Sequence, residues 1–399
     1  MTTSIPHMGT TAAIWKKTVL AHSPANAKQL DLPRGSMSLH QDPRWVATLA
    51  YGGDKHVEGF VLEQSGTSAG WATFLVHPSA LRIIALGEWT LYARRIRRHT
   101  LFAPPLLDPG VVIDDAASLL ILFEQLRDQL NPDEALFLEA VADGSPLAGL
   151  LANDSPLRRQ YHILEYGERY AHRYIDFTGD YTHYLGQLSA STRSDLKRTR
   201  KRFIAEARGY RTVCYRDPNE IGAFLDAAMA VSARTYQYTQ LGGGLRSRAL
   251  LEDRYGTTAN LGWFRSYVLF VNEQPVAFQV GHLYQGCYHA QEIGYDPEWS
   301  RLQVGIFLHT EIIPDLLATP HQVQRFDFGN DDNLHKQRLS NAARLEGYFY
   351  LIPRHWRSSL FTHLMHNFNR VSITAGRFLE RYGLRKRMRK LLWKLGVMR

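Results

Sequence analysis

The chain has little cysteine, no long apolar run and no even spread of positive charge. Only Cys214 and Cys287 occur among its 399 residues, which excludes a disulfide framework and an all-cysteine metal site and favours a reducing cytoplasm. No stretch approaches the ~18 apolar residues of a membrane-spanning helix, and the first residues lack the apolar core of a signal peptide. We therefore expect a cytoplasmic protein, associated with the inner face of a membrane only peripherally if at all.

Positive charge is concentrated in two segments. The formal net charge is +9, yet residues 193–211 carry +6 and residues 377–399 carry +8, so the remainder is net acidic. Local patches of this kind indicate two places where anionic partners could bind. In the first segment Lys197, Arg198 and Lys201 recur at helical spacing and predict a charged stripe. This stripe could bind an anionic acceptor, the phosphates of a cofactor or a tRNA; a solvated helix face is the alternative.

The C-terminal tail is basic and amphipathic. In a helix over residues 377–399, Leu and Met side chains would form one broad arc and Lys and Arg the opposite one, with a Trp among them. This pattern is typical of a helix that binds an anionic membrane surface. A terminal helix docked on its own domain has the same pattern. RNA contact is less favoured, because no aromatic and basic RNA-binding motif accompanies the tail.

Hydrophobic periodicity divides the chain into two mixed α/β units. We predict an N-terminal arm over 1–36, a first unit over 37–180, a basic helical connector over 181–215, a second unit over 216–355 and the tail over 356–399. The first unit contains strand pairs and a helix capped by Asp115. The connector is predicted to be one long, mostly helical segment, and its pattern allows a break near Ser189. The second unit reads as two helices, three antiparallel strands, a helix and two further strands.

One stretch of the second unit, from Tyr295 to Leu317, predicts an anion site. A strand ends, a short loop follows, and a helix begins near Gly305. A helix N-terminus leaves about four N–H groups unpaired and carries roughly half a positive charge, so it suits pyrophosphate. Gly305 would let a phosphate approach the backbone, and Arg301 could add a side-chain contact. An ordinary strand-to-helix loop is the alternative. The candidate cofactor-binding residues are Arg301, Gln303, Val304, Gly305, Ile306 and Phe307.

The element order of the second unit resembles that of the GNAT acyltransferase superfamily. Three sequence segments also resemble those of the cellulose-biosynthesis (CelD/BcsL-like) acetyltransferases: "QEIGYDPEWSRLQVGIFLHTEII", "QRFDFGNDDNLHKQRL" and "STRSDLKRTRKRF". The resemblance covers about Tyr181 to Pro353 and, more faintly, Ser38 to Trp45. Two features depart from the pattern: the phosphate motif Arg/Gln-x-x-Gly-x-Gly/Ala is only partly met, and His335 replaces the Tyr of a Tyr-Lys pair.

This resemblance implies a fold and a co-substrate. Proteins of this group look like two GNAT-like halves in tandem and are related to the Fem-type aminoacyl transferases. We therefore expect a mixed α/β, tandem GNAT-like fold in which a long basic helix links a degenerate first half to a catalytic second half. The co-substrate would be acyl-CoA, either acetyl-CoA or a longer acyl chain. The family's association with exopolysaccharide points to cell-envelope or exopolysaccharide biosynthesis, with secondary metabolism as another possibility.

Acyl transfer needs a base for the acceptor, a donor for the oxyanion and an acid for the leaving thiolate. Strand alternation over residues 288–293 predicts that Glu292 and His289 lie on opposite faces. Glu292 is the first choice for the base, because half-burial would raise its pKa; an ion pair across the sheet is the alternative. His289 is a second candidate base, favoured by a hydroxyl acceptor, or else a packed strand residue. Asp327 ends the strand "RFDFG" where it could face the cleft.

Two further expectations concern ligands. Lys336 follows the family pattern and could bind an acidic acceptor or a phosphate, as could the stripe of Lys197, Arg198 and Lys201; an exposed surface position is the alternative. We expect no metal, because only His363 and His366 lie within one helical turn and no carboxylate accompanies them.

The sequence thus predicts an N- or O-acyltransferase. Its acceptor would be an amine or a hydroxyl on an amino sugar, a polysaccharide precursor or an amino-acid-like metabolite, and transfer would be direct, in a ternary complex. Two alternatives stay open. One is Fem-type transfer from aminoacyl-tRNA, and the other is a non-catalytic GNAT-like scaffold that binds a membrane or a biosynthetic complex.

Overall fold

The computed structural model describes residues 14–19, 38–86, 89–108, 110–112, 114–235, 243–318, 323–355, 358–359 and 362. One mixed sheet runs through this part of the chain. Its strands are β1 (Ile14–Val19), β2 (His56–Gln64), β3 (Thr67–Leu86), β4 (Trp89–Leu101), β5 (Leu106–Leu107), β6 (Glu134–Ala142), β7 (Tyr161–Asp176), β8 (Tyr210–Tyr215), β9 (Ser266–Val271), β10 (Gln274–Tyr284), β11 (Cys287–Tyr295), β12 (Arg325–Asp327) and β13 (Ala342–Pro353). The α-helices are α1 (Pro43–Leu49), α2 (Asp115–Gln129), α3 (Pro146–Leu150), α4 (Tyr181–Gln187), α5 (Ala190–Glu206), α6 (Ile221–Ser232), α7 (Arg248–Asn260), α8 (Val304–Ala318) and α9 (Leu334–Leu339).

The sheet contains both parallel and antiparallel neighbours. Its strand order is β1-β2-β3-β4-β6-β13-β7-β12-β11-β10-β9-β8, and β5 pairs with β3 at one side. The pairs β4–β6 and β11–β12 are parallel, and each is separated along the chain by a helix, α2 in the first pair and α8 in the second. The mixed α/β fold expected from the sequence is confirmed.

The two halves of the chain exchange their last strands. We call β1 to β7 the N-terminal half and α4 to β13 the C-terminal half. Strand β7 closes the N-terminal half in sequence but pairs with β12 of the C-terminal half, whereas β13 closes the C-terminal half but pairs with β6 of the N-terminal half. The exchanged strands also pair with each other, antiparallel, from Ala342 opposite Tyr174 to Pro353 opposite Tyr161. The sheet is therefore continuous across the junction.

The connector between the halves has the expected helix and break, but it is not helical to its end, since Tyr210–Tyr215 form strand β8, which pairs with β9. Ser189 separates α4 from α5, and its hydroxyl accepts a hydrogen bond of 3.1 Å from the backbone N–H of Thr192. This contact is an N-cap, which satisfies one N–H group of the first turn. Helix α5 packs on α8 through Phe203 and Phe307, whose rings stack with centroids 3.9 Å apart. The basic connector is thereby held beside the helix that was expected to bind an anion.

The N-cap of helix α2 lies one residue earlier than predicted. Asp114, not Asp115, is the N-cap: its carboxylate accepts from the N–H groups of Ala116 and Ala117 at 2.9 and 3.2 Å. Asp115 is instead the first helical residue. The sequence offers two adjacent aspartates, and local pattern alone does not decide which of them caps.

The described residues include little of the two predicted terminal segments. Within the predicted N-terminal arm, residues 14–19 form β1, which pairs antiparallel with β2. Residues 1–13 and 20–36 of the arm, and nearly all of the tail, including the predicted amphipathic helix over 377–399, lie outside the described residues. Among the helices that the structure describes, none combines the length and the apolar character needed to cross a bilayer.

Candidate active site

The strands β11 and β12 separate in the middle of the sheet. They pair over only three positions, from Cys287 opposite Arg325 to His289 opposite Asp327. Beyond this point β12 ends, while β11 continues to Tyr295 beside β10. A gap therefore opens in the sheet at the carboxyl ends of two parallel strands, where ligands commonly bind in α/β proteins.

A β-bulge in β11 corrects the prediction of which residues share a face. Ala290 pairs with Gly281 and Glu292 pairs with Val280, so Gln291 is an extra residue without a partner on β10. An extra residue shifts the alternation by one position. Glu292 therefore lies on the same face as His289, and the prediction that they lie on opposite faces was wrong.

A continuous chain of polar side chains occupies this face of the sheet, across the junction between the halves. His172 on β7 lies at its centre. Its Nε2 is 2.7 Å from Oδ1 of Asp327, and its Nδ1 is 2.8 Å from Oε2 of the fully buried Glu346. Tyr170 donates to the same Oε2 at 2.9 Å, and His289 lies beyond Asp327 with 3.6 Å between Nδ1 and Oδ2. We call these residues the junction network: Tyr170, His172, His289, Asp327 and Glu346.

Opposite charges within the junction network stabilise one another. Burial lowers the pKa of His172, but the Asp327 and Glu346 carboxylates outweigh burial and raise it to about 9. Burial likewise opposes the charge on His289, yet Cys287 and Asp327 raise the pKa of that imidazole to about 10. Burial also opposes charge on Asp327, whose pKa the two neighbouring imidazoles hold well below its usual range. Paired imidazolium and carboxylate groups thus tolerate burial that would be costly for either alone.

The segment before β2 covers His289. His40, in the 3₁₀ helix Leu39–Gln41, meets the His289 ring edge-to-face with centroids 5.4 Å apart. Burial and the neighbouring His289 lower the pKa of His40 to about 4. The next residues hold this cover in place, since Asp42 caps α1 and accepts a 2.9 Å hydrogen bond from the Tyr284 hydroxyl of β10. The N-terminal half therefore contributes His40 to the site in addition to the side chains of β7.

Glu292 lies in a more apolar setting on the same face. It is opposite the buried Val280, and burial together with the nearby Glu292 raises the pKa of Tyr255 on α7. Burial alone raises the pKa of Glu292 itself. A carboxyl with a raised pKa and no bonded cation is suited to accept a proton near neutral pH.

Helix α8 begins on the opposite side of β11. Gln303, which precedes it, has a left-handed backbone with φ of 51°, so the chain turns sharply into the helix. The first turn contains no acidic residue. A Cβ atom on Gly305 would have only ordinary contacts, 3.6 Å to Ile293 and Tyr295 and 3.9 Å to His335. The helix start is consequently free of the acidic side chain that would repel an anion.

The predicted cofactor-binding side chains divide into two groups. Arg301 pairs with Glu206 of α5, its carbonyl accepts from Arg202, and Oε1 of Gln303 accepts a 3.1 Å hydrogen bond from Thr199. These contacts hold the loop against α5. Val304, Gly305 and Phe307 are buried, and Ile306 is half-buried.

Two histidines line the gap between β11 and β12. His309 of α8 and His335 of α9 approach within 2.6 Å, Nδ1 to Nε2, and the other ring nitrogen of His309 is 3.2 Å from Oε1 of Gln279. Burial and the neighbouring Lys336 lower the pKa of His335 to about 4, so the pair is neutral near pH 7. His335 is the residue that replaces the tyrosine of the family pattern.

The predicted substrate-binding cations differ in their surroundings. The ammonium of Lys336 donates to the carbonyl of Asn330 at 2.5 Å and pairs with Asp331, so it closes the loop after β12. Lys197, Arg198 and Lys201 form an exposed stripe on α5, in which Arg198 pairs with Asp195 at 2.6 Å. The stripe and the network around His289 lie on different elements, so the structure does not bring all predicted site residues together.

Two cavities lie away from the junction network. One of about 500 Å³ lies at the end of α2, between Glu124 and Arg354. The other, of about 320 Å³, is lined by Glu58, His99 and Glu134. The junction network itself is buried, since His172, His289 and Glu346 are each less than a tenth exposed.

These features agree with the match between this chain and a known protein family. Residues 190–337 match the family described as acetyltransferase (GNAT) domain. This segment is therefore similar to GNAT acetyltransferase domains. It spans α5, α8 and the separating strands β11 and β12, so both sides of the gap fall within it. No curated protein sequence matches the chain.

Solved structures resemble the whole fold around the GNAT domain. The structure titled FemX superposes with a TM-score of 0.57 at 10% identity, covering 88% of this chain and 100% of that chain. A conserved protein of unknown function from Bacteroides thetaiotaomicron gives 0.52 at 16% identity, covering 78% and 91%. A tandem GNAT protein from the clavulanic acid biosynthesis pathway gives 0.47 at 13%, covering 85% and 98%. At such identities the likeness to the first two shows the fold alone.

Sequence reasoning missed four members of the site. These come from the cover before β2 and from the two exchanged strands, which are far apart in sequence: His40, Tyr170, His172 and Glu346. For His40 a signal existed, because it lies in the word "SLHQDPRW" that resembles the acetyltransferase group. For His172 and Glu346 no local signal exists, since their partners are set by strand exchange.

Proposed function

We propose that the protein transfers an acyl group from acyl-CoA to an amine or hydroxyl acceptor within a ternary complex. The observation that carries this proposal is the arrangement of strand β11. A helix start free of acid lies on one side of it, a carboxyl with a raised pKa lies on the other, and the gap beside β12 connects the two sides.

The donor would bind at the start of α8. Backbone N–H groups of Gly305 and Ile306 face the pyrophosphate, and the helix dipole favours its charge. The pantetheine arm then lies in the gap, beside His309 and His335. The neutral imidazole of His335 can bond to an amide of the arm without a charge to desolvate, whereas His335 and Gln279 already engage both ring nitrogens of His309. The thioester would thus end near the bulge of β11, where backbone groups at Gln291 are out of register with β10 and can bond to an oxyanion.

The acceptor would lie on the opposite face, above the junction network. Glu292 takes a proton from the attacking amine or hydroxyl, and the thiolate leaves as CoA. The network supplies both signs of charge, and Tyr170 stacks on Tyr348 with ring centroids 5.3 Å apart at the edge of this face. Polar groups beside aromatic faces suit a small polar acceptor, including an amino sugar or another carbohydrate.

Calorimetric titration tests the donor. Acetyl-CoA, a long-chain acyl-CoA and free CoA are titrated into wild-type protein and into Gly305→Asp, whose carboxylate would repel pyrophosphate. Gly149→Asp is the matched control, because it is a helical glycine of the N-terminal half with nothing within 4 Å of an added Cβ. We expect micromolar binding by the wild type and the control and none by Gly305→Asp. Absence of binding by any CoA species to the wild type would rule out the proposed donor.

A second candidate function is Fem-type transfer from aminoacyl-tRNA, supported by the exposed cationic stripe on α5. Lys197 and Lys201 face solvent on the helix that packs against α8. A tRNA acceptor stem bound there would show a steep loss of affinity with salt, since several phosphates would be neutralised. Filter binding of total tRNA at low and moderate salt, with and without charge reversal of these two lysines, decides between this donor and acyl-CoA.

A further inference from the structure

Three metal-ligating side chains meet at one end of the junction network. Cys287 and His289 alternate on β11 and so share a face, and Asp327 is the parallel partner of His289 on β12. One donor atom from each, the thiol sulfur, an imidazole nitrogen and a carboxylate oxygen, all lie within 4.8 Å of one another. Within the part of the chain that the structure describes, this is the one group of three such side chains with that proximity.

The imidazole in this group has an unmet bonding requirement. His289 is only 8% exposed, and its Nδ1 has no hydrogen-bond partner. That nitrogen faces Oδ2 of Asp327 at 3.6 Å. Two ligands of a tetrahedral zinc ion with bonds of about 2.0–2.2 Å lie roughly 3.3–3.6 Å apart. The separation is too long for a hydrogen bond and fits two ligands of one ion.

The groups bonded to Asp327 orient its carboxylate as a metal ligand would be oriented. Oδ1 of Asp327 bonds to His172 at 2.7 Å and to the N–H of Gly329 at 2.7 Å, so Oδ2 is oriented toward His289. Fixed outer partners of this kind orient metal ligands. Arg325, which lies opposite Cys287, is ion-paired with Asp176 at 2.7 Å, so another carboxylate already holds its charge.

We propose that Cys287, His289 and Asp327 bind one divalent cation of the zinc class. Sulfur, nitrogen and oxygen donors together select zinc over magnesium or calcium, which take oxygen ligands. Binding requires the three donor atoms, which lie within 4.8 Å of one another, to move closer together. Three protein ligands leave the fourth tetrahedral position to a water or another ligand. The site does not depend on the proposed acyl transfer, because Glu292 and the start of α8 supply no ligand to it.

Cobalt substitution tests the site directly. Tag-free protein is freed of metal by a chelator, dialysed and titrated with Co²⁺, and the near-ultraviolet charge-transfer band of a thiolate–cobalt bond is measured. We expect one Co²⁺ per chain, with a band that Zn²⁺ removes. Cys287→Ser should abolish the band, and the matched variant Cys214→Ser should retain it, because Cys214 lies on β8 at the far edge of the sheet. His172→Gln should weaken binding roughly 10–100-fold.

A measurement on the wild-type protein covers the case in which Cys287→Ser does not fold. The alkylation rates of the two cysteines are compared by mass spectrometry with and without Zn²⁺, since only a free thiolate reacts. Selective protection of Cys287 supports the site. A wild type without a thiolate band, a band that survives Cys287→Ser, or equal protection of both cysteines would overturn it.

Discussion

The N-terminal and C-terminal halves share a parallel strand pair with an intervening helix, but they differ at the start of that helix. In the N-terminal half, Asp114 occupies the first N–H groups of α2, and Asp115 adds another carboxylate to the first turn. In the C-terminal half, α8 begins without an acidic residue in its first turn and with a glycine at its second position. The same fold thus presents an occupied helix start in one half and an available one in the other. This difference supports our proposal that the donor binds in the C-terminal half.

The largest expected effect is on kcat, and it distinguishes Glu292 of the C-terminal half from Glu139 of the N-terminal half; burial raises the pKa of both carboxyls. Glu292→Gln should lower kcat by about 10²- to 10⁴-fold, the usual contribution of a general base. Glu139→Gln in the N-terminal half should leave kcat unchanged. Steady-state kinetics with a CoA-dependent acceptor measures both, and equal loss in the two variants would contradict the assignment of the base to Glu292.

The pH profile sharpens this prediction. Burial raises the pKa of Glu292, and the base acts in its ionised form. kcat/KM should therefore rise with pH through a pKa above the usual 4.5 of a glutamate. The rising limb should disappear from the residual activity of Glu292→Gln; a limb that persists there belongs to another group.

The next effect concerns stability in the N-terminal half. Burial raises the pKa of Glu139 from 4.5 to about 7, partly offset by Arg98. Above pH 7 the folded protein must bury an ionised carboxylate, whereas below pH 4.5 both states are protonated. Glu139→Gln should therefore stabilise the fold at pH 8 by at most about 3 kcal/mol. The gain should shrink as pH falls through this window. Denaturant unfolding at pH 8 and pH 4 measures it, and a gain that is equal at both would contradict the cause.

Exchanging the first-turn residue types of α2 and α8 should have a smaller effect, on acyl-CoA affinity. Ile306→Asp copies the acidic first turn of α2 onto α8 and should weaken acyl-CoA binding by about 1–2 kcal/mol, roughly 5–30-fold. Asp115→Asn on α2 should not change it. Calorimetry on both variants decides; unchanged affinity in Ile306→Asp would mean that the phosphates bind elsewhere.

The smallest expected effect lies on α5. Replacing both Lys197 and Lys201 by Gln should weaken an anionic donor only a few-fold at low salt, and the difference should vanish at high salt, because exposed charges are screened. Titrations of acyl-CoA at two ionic strengths measure it. A large loss that persists at high salt would indicate direct contact with a buried anion.

The sequence predicted those features that are set by local pattern. The glycine near the start of α8, the break at Ser189 and the order of β9 to β13 follow from turn residues and periodicity. The face of Glu292 did not follow, because the bulge at Gln291 is a property of the β10–β11 register. The junction network did not follow either. It joins His172 and Glu346, 174 positions apart, through a pairing of strands that no local pattern encodes.

Because β13 pairs with β6, the exchange of β7 and β13 also determines when the sheet can be completed during translation. Strand β6 forms early, yet the partner for its free edge, β13, ends at Pro353. Until the ribosome has released that stretch, the N-terminal half retains an unpaired strand edge that can associate with other chains. A nascent chain stalled before residue 342 should therefore expose this edge, and a supplied peptide with the sequence of β13 should cover it.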